Sequence, residues 1–235
     1  DPEMLGRIFE NLLAEQVPET GESARKATGS FYTPREIVDY MVEQSITEYL
    51  KTIFNNNSDE PVLESNLFGV IPNQQLKLQK ATNKNEEEKL NIAIEEFVHT
   101  NLLPDELKSM AQVILDALNK ITVLDPACGS GAFPIGVLQK LIALKQEIEQ
   151  ILKPKKQLSQ AILYKQKLDT IQNSIYGIDI QPLAVELSRL RCWLSLVVDE
   201  EIDNIKSLPN LDFKFVCADT LVDVPDNEYV KIQSQ

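Results

Sequence analysis

One histidine, His99, and three cysteines, Cys128, Cys192 and Cys217, are all the imidazole and thiol that the chain contains. The cysteines stand singly on hydrophobic patterns, so neither a disulfide framework nor a cysteine–histidine zinc site is expected, and each thiol reads as a small buried hydrophobe. No apolar run approaches the roughly 18 residues of a membrane span, and Asp1 to Gln16 is acidic and polar rather than signal-like. A soluble, cytoplasmic protein is the expectation. Basic residues are also scarce: 23 Lys and Arg against 36 Asp and Glu give a net charge of -13. That balance argues against a broad nonspecific grip on nucleic acid, which draws much of its affinity from neutralised phosphates, but it is compatible with a local basic patch or a basic partner domain. There is no internal repeat, no initiator methionine, and an abrupt stop at Ser234 and Gln235. The expectation is a piece cut from a larger polypeptide.

What is present is an ordinary globular composition, 43% hydrophobic and 25% charged, in 235 residues, enough for one domain or one plus a part. Apolar residues at helical spacing predict a short helix from Met4 to Glu15 and, after a polar loop, a longer one following Thr33 and Pro34, with Thr33 placed to cap it. Its apolar face is read as Ile37, Val38, Met41, Val42, Ile46, Tyr49, Leu50 and Ile53. The polar run Lys77 to Lys89 reads either as an exposed helix or as an insertion. Ile92, Ile94, Phe97 and Val98 resume the helical spacing, and Leu107, Met110, Val113, Ile114 and Leu118 form a further stripe.

Ile121 to Leu124 then reads as a strand buried on both faces of a parallel sheet. Small residues follow, and a helix runs on from Ala132. Pro154 interrupts any continuous helix beyond. A second strand is expected at Ser174 to Ile178, a helix from Pro182 through Leu183 to Val197, and a third strand at Phe213 to Cys217. The alternation predicts an α/β fold: a partial Rossmann-like sheet over 119–235, preceded by a helical region over 1–118.

The chemistry concentrates at the strand ends. In DPACGSGAF, Asp125 to Phe133, Gly129 and Gly131 permit a tight turn, and the amides entering the next helix favour a carboxylate. Asp125 is suited either to accept from an ammonium or to anchor the loop. The turn lacks the Lys followed by Ser or Thr of a triphosphate loop, and its glycines do not complete G-x-G-x-x-G there. Asp125 would also oppose a pyrophosphate. Asp179, ending the second strand, is placed to accept from ribose hydroxyls. Asp219, after the third, is suited to an adenine amino group or to a plain turn, with Thr220 able to cap a helix.

These residues resemble the S-adenosylmethionine-dependent N6-adenine DNA methyltransferases, especially the methyltransferase portion of type IIG restriction-modification proteins. The resemblance lies in ATGSFYTP at Ala27 to Pro34 within a segment 25–42, VLDPACGSGAF at Val123 to Phe133, IYGIDIQPLAVELSRLRCWLSL at Ile175 to Leu196, and more weakly CADTL at Cys217 to Leu221. It implies that Tyr32 and Thr33 close over the cofactor, and that Asp125 with the backbone of Ala127, Cys128, Gly129 and Gly131 handles its methionine end. Asp179 would hold the ribose, Ile180 would pack on the adenine, Phe133 would lie near the site and Asp219 would recognise the adenine amino group. Phe31 and Phe133 read equally as core aromatics, Trp193 as helix packing, and Arg189 and Arg191 as reaching neighbouring acids or DNA.

The family's Asn-Pro-Pro-aromatic motif, which presents the target amine, should follow Leu221 and is absent. The resemblance therefore implies a cofactor-binding part with no catalytic residue of its own, inactive alone. The parent protein would act on double-stranded DNA through base flipping, together with target-recognition and nuclease regions or subunits. Methylation of RNA or of a protein glutamine, and a non-catalytic regulatory domain, are the other readings. A type I modification subunit is the nearest family-level competitor.

Overall fold

The computed structural model describes residues 33–55, 84–154, 159–198 and 210–222. The expected helix at 4–15, Phe31, Tyr32 and the segment 77–83 lie outside the described residues. The chain divides into two compact units, one formed by Asp1–Val42, Ile121–Ile142 and Leu158–Gln235, the other by Glu43–Lys120 and Ala143–Gln157.

The second unit is helical. Helix α1, Arg35–Asn55, begins with the Pro34 carbonyl accepting from the amides of Ile37 and Val38. Along it Val38, Val42, Ile46, Leu50 and Phe54 are buried, a single row at four-residue spacing, of which the last three belong to this unit. Ile37 and Met41, expected on that face, are exposed, because the buried row is narrower than the sequence stripe. Helix α2, Lys84–Thr100, buries Ala93, Ile94, Phe97 and Val98 but leaves Ile92 exposed. Two side chains tie α1 within this unit: Lys51 reaches Glu95 at 2.7 Å, and the Tyr49 hydroxyl donates to the Ala117 carbonyl at 3.0 Å. The stripe from Leu107 to Leu118 is broken into two helices, α3 (Asp105–Lys108) and α4 (Ala111–Lys120), by a turn at Ser109 and Met110. The periodicity survives that turn because Leu107, Ile114 and Leu118 are all buried.

The first unit carries the sheet. Strand β1 (Val123–Asp125) leads through a glycine turn into helix α5 (Ala132–Leu152), whose residues up to Ile142 belong to this unit and which ends just before Pro154 as its ring requires. Helix α6 (Gln160–Ser174), capped by the Ser159 hydroxyl, runs directly into β2 (Ile175–Asp179), and helix α7 (Pro182–Val197) follows with proline in its first turn. Strand β3 is Phe215–Cys217. The three strands are parallel in the order β1-β2-β3, with Asp125 opposite Gly177 and Asp179 opposite Cys217. The fold is thus α/β with a small parallel sheet.

Side chains alternate across a strand, so this register sets Val123, Asp125, Ile175, Gly177, Asp179, Phe215 and Cys217 on one face. Ile175 and Phe215 are fully buried there, whereas on the opposite face Leu124 is 51% and Val216 39% exposed. The expectation of a first strand buried on both faces is therefore corrected: Ile121 is buried ahead of β1, and the strand itself is covered on one side. Phe213, expected in the third strand, sits in the turn before it and is exposed.

Candidate functional site

The turn after β1 is held by hydrogen bonds from three directions. Its start continues the strand pairing, the Cys128 amide donating to the Ile178 carbonyl at 2.9 Å, and its end closes on itself, Gly131 N to Cys128 O at 2.8 Å. Gly129 and Gly131 both have positive φ, +53° and +84°, the region that side chains rarely adopt. They differ in surroundings. Among the described residues a Cβ on Gly129 meets nothing within 4 Å, whereas one on Gly131 would lie 2.8 Å from Ser188 Oγ.

The two strand-end carboxylates meet this turn. Asp179 accepts the Gly129 amide on Oδ2 at 2.8 Å and the Gln181 amide on Oδ1 at 2.9 Å, bracing the turn to the start of α7. Asp125 accepts the Ala127 amide at 3.1 Å. Burial raises the pKa of Asp125 above the ordinary carboxylate value, the nearby charge of Asp179 adds to that, and the Ala127 hydrogen bond opposes it. Such a carboxylate is better stabilised beside a cation.

The third strand end joins through Thr220, whose hydroxyl donates to the Pro126 carbonyl at 3.1 Å rather than capping a helix. Asp219 accepts the Leu221 amide at 2.9 Å in a local turn and is exposed. Ile180, just past Asp179, is 59% exposed. Phe133 is half-buried in the first turn of α5, and Thr33 is half-buried ahead of α1. Tyr32 lies outside the described residues.

Of the expected site residues, Asp125 pairs with Ala127, Cys128 with Gly131 and Gly129 with Asp179, three hydrogen-bonded pairs within the turn and the strand ends beside it. Cys128 takes part through its backbone. Its side chain is buried in the space left by Gly177, where a Cβ would lie 2.9 Å from its sulfur, and burial pushes the thiol up to about 12. Cys192 is likewise buried, but Cys217 is exposed, against the expectation of three buried thiols.

Several contributors were not legible as such. Arg191 is buried and donates to the Ser130 carbonyl at 2.9 Å and to its hydroxyl at 3.1 Å, and Ser188 donates to the Gly129 carbonyl at 2.9 Å. The available signal was a polar pair, Ser188 and Arg191, inside the otherwise apolar stripe of α7. Arg189 turns to Glu186 at 2.8 Å, Asp212 at 3.1 Å and the Phe215 carbonyl at 2.6 Å. Both arginines, read as reaching acids or DNA, are thus engaged within this unit, and Trp193 is half-buried on the same helix.

Residues 76–209, more than half of the chain, match the family described as MmeI, DNA-methyltransferase domain. Over 230 residues the chain is 30% identical to a Methanocaldococcus jannaschii protein named "Putative type II restriction enzyme and methyltransferase RM.MjaORFECS2P". That similarity covers 94% of this chain and 16% of the relative, so the chain spans about a sixth of the length of the protein it matches. No helix among the described residues is long and apolar enough to cross a membrane. With a match of this extent, the chain belongs to the MmeI DNA-methyltransferase domain family.

Proposed function

We propose that this chain is the methyl-donor-binding part of a type IIG restriction-modification protein that transfers methyl from S-adenosylmethionine to adenine N6 in double-stranded DNA. The observation that carries the reading is the linkage of Asp125, the positive-φ turn and Asp179 at the carboxyl ends of adjacent parallel strands, with Gly129 N 2.8 Å from Asp179. Ligands of open α/β sheets bind at that edge. On this reading the sheet is part of a Rossmann-like domain over 119–235, following a helical region over 1–118 whose segment 25–42 includes the cofactor lid.

The residues suit the parts of the cofactor. The desolvated carboxylate of Asp125 accepts from the ammonium of the methionine end, and the turn amides take its carboxylate. The Asp179 oxygens keep lone pairs for ribose hydroxyls beyond the two backbone amides they already accept. Exposed Ile180 offers an apolar surface to the adenine ring, Asp219 accepts from its amino group, and Tyr32 and Thr33 cover it. When bound, the cofactor supplies a methyl group on an electrophilic sulfonium. Adenine recognition needs an Asn-Pro-Pro-aromatic segment, which these 235 residues do not contain, so no catalytic residue is assigned here. Target recognition and any nuclease are likewise assigned to other regions or subunits.

Calorimetry tests the cofactor assignment. The chain should bind S-adenosylmethionine, and Asp179→Ala should weaken binding by about tenfold or more through lost charge-assisted hydrogen bonds. Absence of binding by the wild-type chain sinks it. For the acceptor, DNA treated with the full-length protein should yield N6-methyladenine on nucleoside mass spectrometry, and a methylated cytosine instead would refute the adenine assignment.

A further inference from the structure

Gly136 stands in the second turn of α5, where alanine would be the better helix former. The missing side chain makes room for another helix. A Cβ on Gly136 would lie 2.7 Å from Val38 Cγ1 and 3.2 Å from Val42 Cγ2, so two valines one turn apart on α1 straddle the bare backbone of α5. Both valines are buried. The two helices thus meet at a notch that a single added carbon would fill.

Each helix begins one turn from that notch. In α5 the Ile135 amide donates to the Gly131 carbonyl at 3.1 Å, so the glycine turn runs straight into the helix; in α1 the Val38 amide donates to the Pro34 carbonyl at 3.1 Å, so the chain at Thr33 runs straight into the other. Four positions, about 6 Å of helical rise, separate Gly136 from Ala132 and Val38 from Pro34. Residues 35–42 of α1 and 132–142 of α5 share the unit that carries the sheet, and the later part of each helix does not. An antiparallel α1 would instead carry the residues after Val42 past the start of α5 and the glycine turn, which belong to this unit. The helices therefore run in the same sense, and Thr33 and Gly131 lie toward the same end of the notch.

We propose that Gly136 is a positioning residue for the methyl donor: by letting α1 seat on α5 it holds Thr33 beside the glycine turn, so that both segments reach one ligand. The assignment rests on the S-adenosylmethionine reading above and deepens it. Gly136 itself touches no part of the cofactor and sets the spacing between two segments that do. Because one hydrogen-bonded turn connects the notch to each segment, a shift of α1 at Val38 moves Thr33 with it.

Cofactor release from the full chain separates this role from general support of the fold. Gly136→Ala should speed dissociation of S-adenosylmethionine about tenfold while association stays within about twofold. Val38→Ala added to it removes the methyl that the new Cβ would meet, and should return dissociation to within about threefold of the wild type. An unchanged dissociation rate, a loss of affinity carried by slower association, or no recovery in the double variant overturns the positioning role. A second measurement needs no variant: the methyl signals of Val38 in the 13C-labelled wild-type chain should shift when S-adenosylmethionine is added, although on this reading no ligand atom touches that side chain. Unshifted Val38 signals in a chain that binds S-adenosylmethionine overturn the proposal alone, whereas failure of the wild-type chain to bind it overturns the cofactor reading and this assignment together.

Discussion

The hydroxyl of Thr220 donates to the carbonyl of Pro126 at 3.1 Å, joining two loops that lie 94 positions apart in the chain. It links the end of β3 to the first residue after β1, around the edge where the carboxylates collect. Because Thr220 is exposed, Thr220→Val should cost no more than about 1 kcal/mol of global stability. Its effect should be local. Hydrogen exchange of the amides at 218–221 should accelerate while the unfolding midpoint stays nearly constant, and unchanged exchange would show that the contact does not order the loop.

The two glycines of the turn should respond differently to alanine. At Gly129 the change meets backbone strain, about 1–2 kcal/mol for a left-handed residue, and its Cβ would meet nothing within 4 Å among the described residues. At Gly131 the same strain is joined by a Cβ lying 2.8 Å from Ser188 Oγ and 3.2 Å from Ser188 Cα. Urea unfolding should therefore show Gly131→Ala to be the more destabilising by about 1 kcal/mol or more. Equal losses would indicate that α7 yields freely.

Burial holds the pKa of Asp125 above its unfolded value. Between those two values the folded state binds more protons than the unfolded one, so the contribution of this group to stability falls as pH rises through the window. Asp125→Asn, which keeps an oxygen for the Ala127 amide, should abolish that fall. The melting temperature of the variant should gain on that of the wild type as pH rises from about 4 toward neutrality. Cofactor affinity should show the opposite preference: a cation at Asp125 favours the ionised carboxylate, so wild-type binding should strengthen over the same window and the variant should lose that dependence. A wild-type profile that is flat in both measurements removes Asp125 from this role.

The thiols give a third contrast. Cys128 and Cys192 are buried, and desolvation pushes each up to about 12, so both remain protonated at neutral pH. Cys217 is exposed. Brief alkylation of the native chain with iodoacetamide at pH 8, read by peptide mass spectrometry, should modify Cys217 well ahead of the other two, and all three equally after unfolding. Early modification of Cys128 would show that the turn opens readily.

Much of the architecture was written in local pattern. Pro182, the glycines at 129 and 131 and the β-prone runs around Leu124 and Ile178 give the strand–turn–helix units almost directly, since each acts on its own few residues. Exposure on the sheet was not legible in the same way, because Leu124 and Val216 have the same composition whether or not a layer covers them. The break between α3 and α4 was hidden for a related reason: Leu107, Ile114 and Leu118 keep helical spacing across a turn that the periodicity does not register. At the site, Asp125 and Asp179 stood out because they end strands. Ser188 and Arg191 did not, since their partners are carbonyls about sixty positions earlier in the chain, and a backbone acceptor leaves no trace in side-chain identity.

The carboxylate of Asp179 reaches both the amide that opens the glycine turn and the amide that precedes α7. On the proposed reading it also receives the ribose, which makes it a joint between the two halves of the cofactor. Two halves held through one joint are not independent guests. An adenosine fragment and a methionine fragment added together should each raise the affinity of the other by the same factor, as reciprocity demands of any shared coupling, and the whole cofactor would inherit that cooperation as part of its own binding.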